Sequence, residues 1–94
     1  MPYLLIRHKV EDYAKWKPVF DDHAATRRAN GSKGGYLLRN ADDPNDLVLL
    51  LQWDDLDRAR QFAQSADLQQ TMRRAGVLDE PDLHFLDEVE WPSA

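Results

Sequence analysis

Two interleaved apolar sets run through the stretch from Leu47 to Trp53. Leu47, Leu49, Leu51 and Trp53 fall on one side of an extended chain, Val48 and Leu50 on the other, because successive side chains of a strand point to opposite faces. A strand with one wetted side should alternate apolar and polar residues. Ninety-four residues are too few to cover both faces of such a sheet. Each Leu left in water forfeits roughly 1.5–3 kcal/mol. The pattern therefore predicts that a second copy of the chain covers the free face.

The remaining pattern alternates between strand and helix periods. Tyr3 to Val10 reads as a strand, with Leu4, Ile6, His8 and Val10 on the face that meets helices and Tyr3, Leu5, Arg7 and Lys9 on the other. Asp12 is the N-cap of a helix on which Tyr13, Trp16, Phe20, His23 or Ala24, and Arg27 recur at three- and four-residue steps. Pro18 should kink that helix or restart it near Trp16. Asn30-Gly31 ends it, Gly31 taking the left-handed cap, and Ser32 to Gly35 is a loop. Tyr36 to Ala41 is a second strand, Asp42 to Asp46 a turn, and Leu47 to Trp53 the third strand, hairpinned to the second. Asp54-Asp55 cap a helix with the stripe Leu56, Ala59, Phe62 and Ala63. Ser65 breaks it and caps a continuation through Leu68, Met72 and Ala75, ended by Gly76. After a linker from Leu78 to Asp82, Leu83 to Trp91 forms the last strand. The order βαββαβ predicts an α+β, ferredoxin-like fold: a four-stranded antiparallel sheet with both helices on one face, in a single domain over residues 1–94.

Composition narrows the chemistry. With 12 basic against 17 acidic residues the net charge is −5, which repels phosphate backbones, so no nucleic-acid partner is expected. RNA-recognition domains share the strand order, but they need basic and aromatic residues where this chain places leucines. There is no cysteine, hence no disulfide, thiol nucleophile or thiolate metal site. No apolar run reaches the roughly 20 residues that span a bilayer, and the start lacks a signal peptide's basic region. The expectation is a soluble, cytoplasmic protein without membrane contact.

Histidine leads the candidate chemistry because it titrates near neutrality. His8 lies on the apolar face of the first strand and His23 beside the stripe of the first helix. The two imidazoles are thus placed to flank one cavity between sheet and helix. The plainer reading of each, which nothing local overrides, is a hydrogen-bonded histidine at the core's edge. His84 shares the opposite face with Glu88 and Glu90, at the surface or an interface. No metal is expected: Asp21, Asp22 and His23 diverge around a helix, and His84 and Glu88 stand roughly 13 Å apart along a strand. Ser32, Ser65 and Ser93 have no histidine at a nucleophile's spacing, and Gly31 to Gly35 lacks the spacing of a phosphate loop. Trp16, Phe20, Trp53, Phe62 and Met72 are wall or core residues around a pocket for a flat apolar ligand. Arg27 or Arg39 is its anchor for a negative charge.

The stretch Arg7-His8-Lys9-Val10-Glu11-Asp12-Tyr13-Ala14-Lys15-Trp16-Lys17, with Phe20 and His23 after it, resembles the dimeric α/β-barrel superfamily. The likeness is to its small antibiotic-biosynthesis-monooxygenase-like and cyclase-like members. Phe62 to Leu68 with Met72 and Ala75-Gly76-Val77, and the hairpin from Arg39 to Asn45 running into the leucine strand and Trp53, carry the same likeness. The resemblance implies a homodimer whose sheets face each other as a barrel, helices outside, with a binding cleft between each sheet and its helices. Relatives of known activity include oxygenases that act on aromatic polyketides without metal or flavin, haem-degrading enzymes, and lactone isomerases or cyclases. Haem-degrading members use an Asn on the first strand and a His on the second helix with a Trp. This chain has His8 and no Asn on the first strand, no His on the second helix, and only Trp53 as a counterpart.

Two expectations follow. One is a cofactor-independent monooxygenase or cyclase-type enzyme acting on a small flat apolar or aromatic molecule, with His8 and His23 as acid and base. The other is a non-catalytic small-ligand-binding or regulatory module on the same dimeric scaffold, since fold does not dictate function.

Overall fold

The computed structural model describes all residues, 1–94. The elements run β1 (Pro2–Lys9), α1 (Tyr13–Asp22), α2 (Ala24–Asn30), β2 (Ser32–Asn40), β3 (Asp43–Trp53), α3 (Leu56–Ala63), α4 (Ala66–Arg74) and β4 (Asp82–Asp87). The four strands form one antiparallel sheet in the order β2-β3-β1-β4. This is the α+β, ferredoxin-like arrangement that the strand and helix periods predict.

Register sorts the side chains into two faces. Leu4, Ile6 and His8 on β1 stand opposite Leu51, Leu49 and Leu47 on β3. These residues are buried with Trp16, Phe62 and Leu68 from the helices. The other face stays open. There Leu5 opposes Leu50 and His84, Leu50 opposes Tyr36, and Val48 opposes Leu38. Tyr36 is 57% exposed, Leu38 50% and Leu86 39%. At the edge of that face Arg7 forks onto Asp46 (3.0 and 3.3 Å), with Asn40 donating to the same carboxylate.

The caps fall where expected. Asp12 accepts from Ala14 N–H, Asp55 from Asp57 N–H, and Ser65 Oγ from Leu68 N–H, each satisfying a donor the helix leaves free. Gly31 closes α2 at φ 118°.

Four expectations fail for identifiable reasons. Pro18 does not interrupt α1. The carbonyl it orphans belongs to Ala14, which is exposed and can be hydrated. The break falls instead at His23, whose N–H is shared between Val19 O and Phe20 O as the last turn tightens. β2 begins at Ser32, not Tyr36. Gly35 can lie so close to β3 that a Cβ there would sit 2.0 Å from Leu50 O, and a bulge between Ser32 and Gly34 absorbs the misfit. The turn formers from Asp43 onward join β3, leaving Ala41-Asp42 as the turn, with Asn40 Oδ1 accepting from Asp42 N–H. β4 stops at Asp87 because its partner there is Pro2, where β1 begins. Val89 and Trp91, beyond it, are 91% and 87% exposed.

Candidate functional site

A narrow cavity of about 40 Å³ remains between the helix-facing side of the sheet and the helices. Ile6 and His8 of β1 and Leu49 and Leu51 of β3 form its floor. Trp16, Phe20, His23 and Arg27 form one wall, and Phe62, Leu68, Thr71, Met72 and Ala75 the other. A water-sized molecule needs roughly 10–15 Å³ measured this way, so the space takes a few waters. An aromatic ring enters only if a wall side chain moves.

β1 delivers His8 to this floor by alternation with Leu4 and Ile6. Its ring meets Trp16 edge to face, centroids 5.7 Å apart at 77°. Both ring nitrogens are buried with no hydrogen-bond partner. Burial lowers the pKa of this imidazole from 6.5 to about 4, because a charged ring loses hydration there and gains nothing in return. His8 is therefore neutral at physiological pH, with one free donor and one free acceptor. Leaving them unpaired costs roughly 1–3 kcal/mol.

His23 sits at the break between α1 and α2 and is equally buried. Its Nε2 lies 2.6 Å from Oδ2 of Asp67 in the first turn of α4. A carboxylate only accepts, so Nε2 carries the hydrogen of this pair and Nδ1 is the bare nitrogen of the neutral ring. Phe62 flanks the imidazole at 5.9 Å. Asp67 is 60% exposed in its side chain and links the buried ring to water.

Arg27, from α2, closes the rim of the cavity. Its Nη1 donates to Phe20 O at 2.8 Å, and its guanidinium lies 3.8 Å above the Phe20 ring. Phe20 stacks in turn on Trp16 at 4.7 Å and 16°. Partial burial lowers the Arg27 pKa, the charge of Asp21 raises it, and Arg28 lowers it.

Seven of the eight residues expected at the site thus line one cavity: His8, His23, Trp16, Phe20, Arg27, Phe62 and Met72. Trp53 does not. It is wholly buried behind Phe62, ring to ring at 5.1 Å, with its indole N–H unpartnered. Arg39 packs over Tyr13 instead, and His84 lies on the open face of the sheet. Sequence reasoning missed Thr71 and Asp67. Thr71 was signalled by its place three residues after Leu68 on the apolar stripe of α4. Asp67 had no local signal, because its partner is 44 residues away.

The arrangement brings together a neutral imidazole with free hydrogen-bonding capacity, a second imidazole backed by a carboxylate, and a guanidinium at the rim. The walls are otherwise mostly apolar. Such a site can take a proton from a weakly acidic apolar molecule and offset the negative charge that develops.

The model of the family "antibiotic biosynthesis monooxygenase" matches residues 5–74 of the chain. Among solved structures, the chain is similar to a candidate antibiotic biosynthesis monooxygenase from Bordetella bronchiseptica. The TM-score is 0.77 at 22% identity, over 95% of this chain and 97% of that one. A second such protein, from Caulobacter crescentus CB15, gives 0.73 at 21%, over 95% and 90%. SnoaB, a cofactor-independent oxygenase from Streptomyces nogalater, gives 0.76 at 20%, over 96% and 94%. At these identities the likeness is one of fold. None of the curated proteins matches the chain.

Proposed function

The chain belongs to the antibiotic biosynthesis monooxygenase family, and on that premise we propose that it is a cofactor-independent monooxygenase for a small, flat, enolisable aromatic molecule bound between sheet and helices. The observation that carries this reading is His8: a neutral imidazole with two unpartnered nitrogens on the floor of a mostly apolar cavity. Groups left unsatisfied at a stability cost mark functional sites.

In a cofactor-independent reaction, the electrons that reduce oxygen come from the substrate. His23, its positive form offset by Asp67, takes a proton from an activated methylene. His8 donates a hydrogen bond to the enolate oxygen, and Arg27 adds positive field from the rim. The carbanion transfers electrons to O2 and combines with it, and His23 returns its proton to the peroxide. Loss of the second C–H proton then breaks the O–O bond. One oxygen stays as a carbonyl and the other leaves as water: CH2 plus O2 gives C=O plus H2O. Low dielectric strengthens the imidazolium–enolate attraction, which offsets the burial penalty on each charge.

The working form in this reading is a homodimer. Leu5, Val48, Leu50, Tyr36, Leu38 and Leu86 make one face apolar with no cover from the chain itself, and a second copy supplies the matching surface. No helix is long and apolar enough to cross a membrane.

The narrowness of the cavity favours one competing reading, a binding module that performs no chemistry. Oxygen uptake with anthrone, whose methylene lies between two arenes, separates the two. The protein is first treated with chelator and freed of flavin. An oxygenase consumes one O2 per anthrone, faster than autoxidation. A binder shows anthrone-dependent tryptophan quenching and no uptake above the blank.

A further inference from the structure

Arg27 borders two spaces. One is the His8 cavity; the other is an open groove of about 340 Å³ lined by Ala24, Arg27, Arg28, Ser32, Lys33 and Gly34. The groove wall holds three cationic side chains and no acidic one, on a chain whose net charge is −5. Lys33 is engaged with Asp54 at 3.0 Å. Arg27 is not engaged with any carboxylate. Its hydrogen bond goes to a backbone carbonyl, its face rests on Phe20, and the nearby Asp21 is held by Lys17 at 2.6 Å. A partly desolvated guanidinium that feels Asp21 only at a distance and bonds no carboxylate is stabilised by an anion that reaches it, and its planar fork suits a carboxylate or phosphate.

We propose that this groove is an anion subsite, so that the molecule taken is amphipathic: a flat apolar ring enters the His8 cavity while a carboxylate or phosphate on a short tether meets Arg27, with Arg28 adding charge. The proposal rests on the reading of the cavity as the ring site and adds the polar half of the ligand. The groove is several times the volume of the cavity, so the charged half has the freer space and the ring the tighter one. Arg27 couples them, because the guanidinium that meets the anion also rests on Phe20 and lines the cavity beside it.

Calorimetric titration of the full chain with three probes tests this: 2-naphthylacetate, 2-naphthyl phosphate and the neutral 2-naphthylacetamide. At low salt at least one anion should bind about tenfold or more tighter than the amide, as one charge-assisted contact gives. The tighter of the two identifies the anion chemistry. Arg27→Gln should erase that preference while the amide still binds. Should that variant fail to fold, the native chain decides: about 0.5 M NaCl should weaken the anion and leave the amide nearly unchanged. Equal binding of amide and both anions overturns the subsite and leaves the ring site standing. So does a preference that survives Arg27→Gln in the folded variant, or one indifferent to salt. If no probe binds, the ring site fails and the subsite with it.

Discussion

His23 and Asp67, 44 residues apart, hold each other at 2.6 Å between Nε2 and Oδ2. The contact ties the break between α1 and α2 to the first turn of α4, and it fixes which nitrogen of His23 carries the hydrogen. Long-range ¹H–¹⁵N spectra should show the Nε2–H tautomer as the neutral form in the native protein. Asp67→Ala should let both tautomers appear. Stability should fall by about 1–3 kcal/mol, because the buried Nε2 of His23 loses its partner. Mixed tautomers in the native protein would remove Asp67 from its positioning role.

His8 makes folding stability depend on pH. Its native pKa, about 4, lies below the ordinary 6.5, so the unfolded chain binds a proton that the folded one refuses. Stability contributed by this group is complete above pH 6.5 and is lost as pH falls toward 4, by up to about 3 kcal/mol. His8→Leu should remove that loss. It should also stabilise the protein at pH 7 by about 1–2 kcal/mol, because the unpaired nitrogens disappear, while abolishing turnover. Urea unfolding across pH 4–7 measures both effects.

Met72 forms part of the cavity wall and also lines a larger outer groove bounded by Val77, Leu78 and Pro81. Its unbranched side chain is suited to swing aside. Met72→Ala should join the two spaces and tighten binding of a three-ring ligand such as anthrone relative to a two-ring one. Half-buried as it is, its loss should cost about 1–2 kcal/mol of stability, less than a fully buried Met. An unchanged ratio of the two affinities would show that the bound ring does not press on Met72.

Gly35→Ala should be among the most damaging single changes outside the cavity. The new Cβ would meet Leu50 O at 2.0 Å, at a φ of 156°, and backbone cannot give way as a side chain can. A loss of about 3 kcal/mol or more is expected in chemical unfolding.

The open sheet face should set the assembly state. Leu50→Glu places a charge at the centre of the row formed with Leu5 and Tyr36. Sedimentation should find the native chain as a dimer and this variant as a monomer. A native monomer with that face in water would end the dimer reading.

Much of this was legible in the chain because the informative residues are local. Leu47 to Trp53 gives the two faces by alternation alone, and Asp12, Asp55 and Ser65 cap by direct contact with the next few backbone donors. His8 and His23 were placed together by the same periods that place Leu4 and Trp16. What the sequence hid depends on partners distant along it. The end of β4 is set by where β1 begins, and the start of β2 by the approach of Gly35 to Leu50. Trp53 reads as pocket wall from its size and position, yet Phe62 stands between it and the cavity. Asp67 joins the site through His23, which lies 44 residues before it at the break between α1 and α2.

In the proposed reading, the two imidazoles that share one mostly apolar cavity are where oxygen chemistry occurs. Initial rates of oxygen uptake with anthrone, for the native protein and for the His8→Ala/His23→Ala double variant, test it directly. Uptake above the autoxidation blank is expected in the first and a fall to the blank in the second, with the variant still folded. Equal rates for both proteins would contradict it.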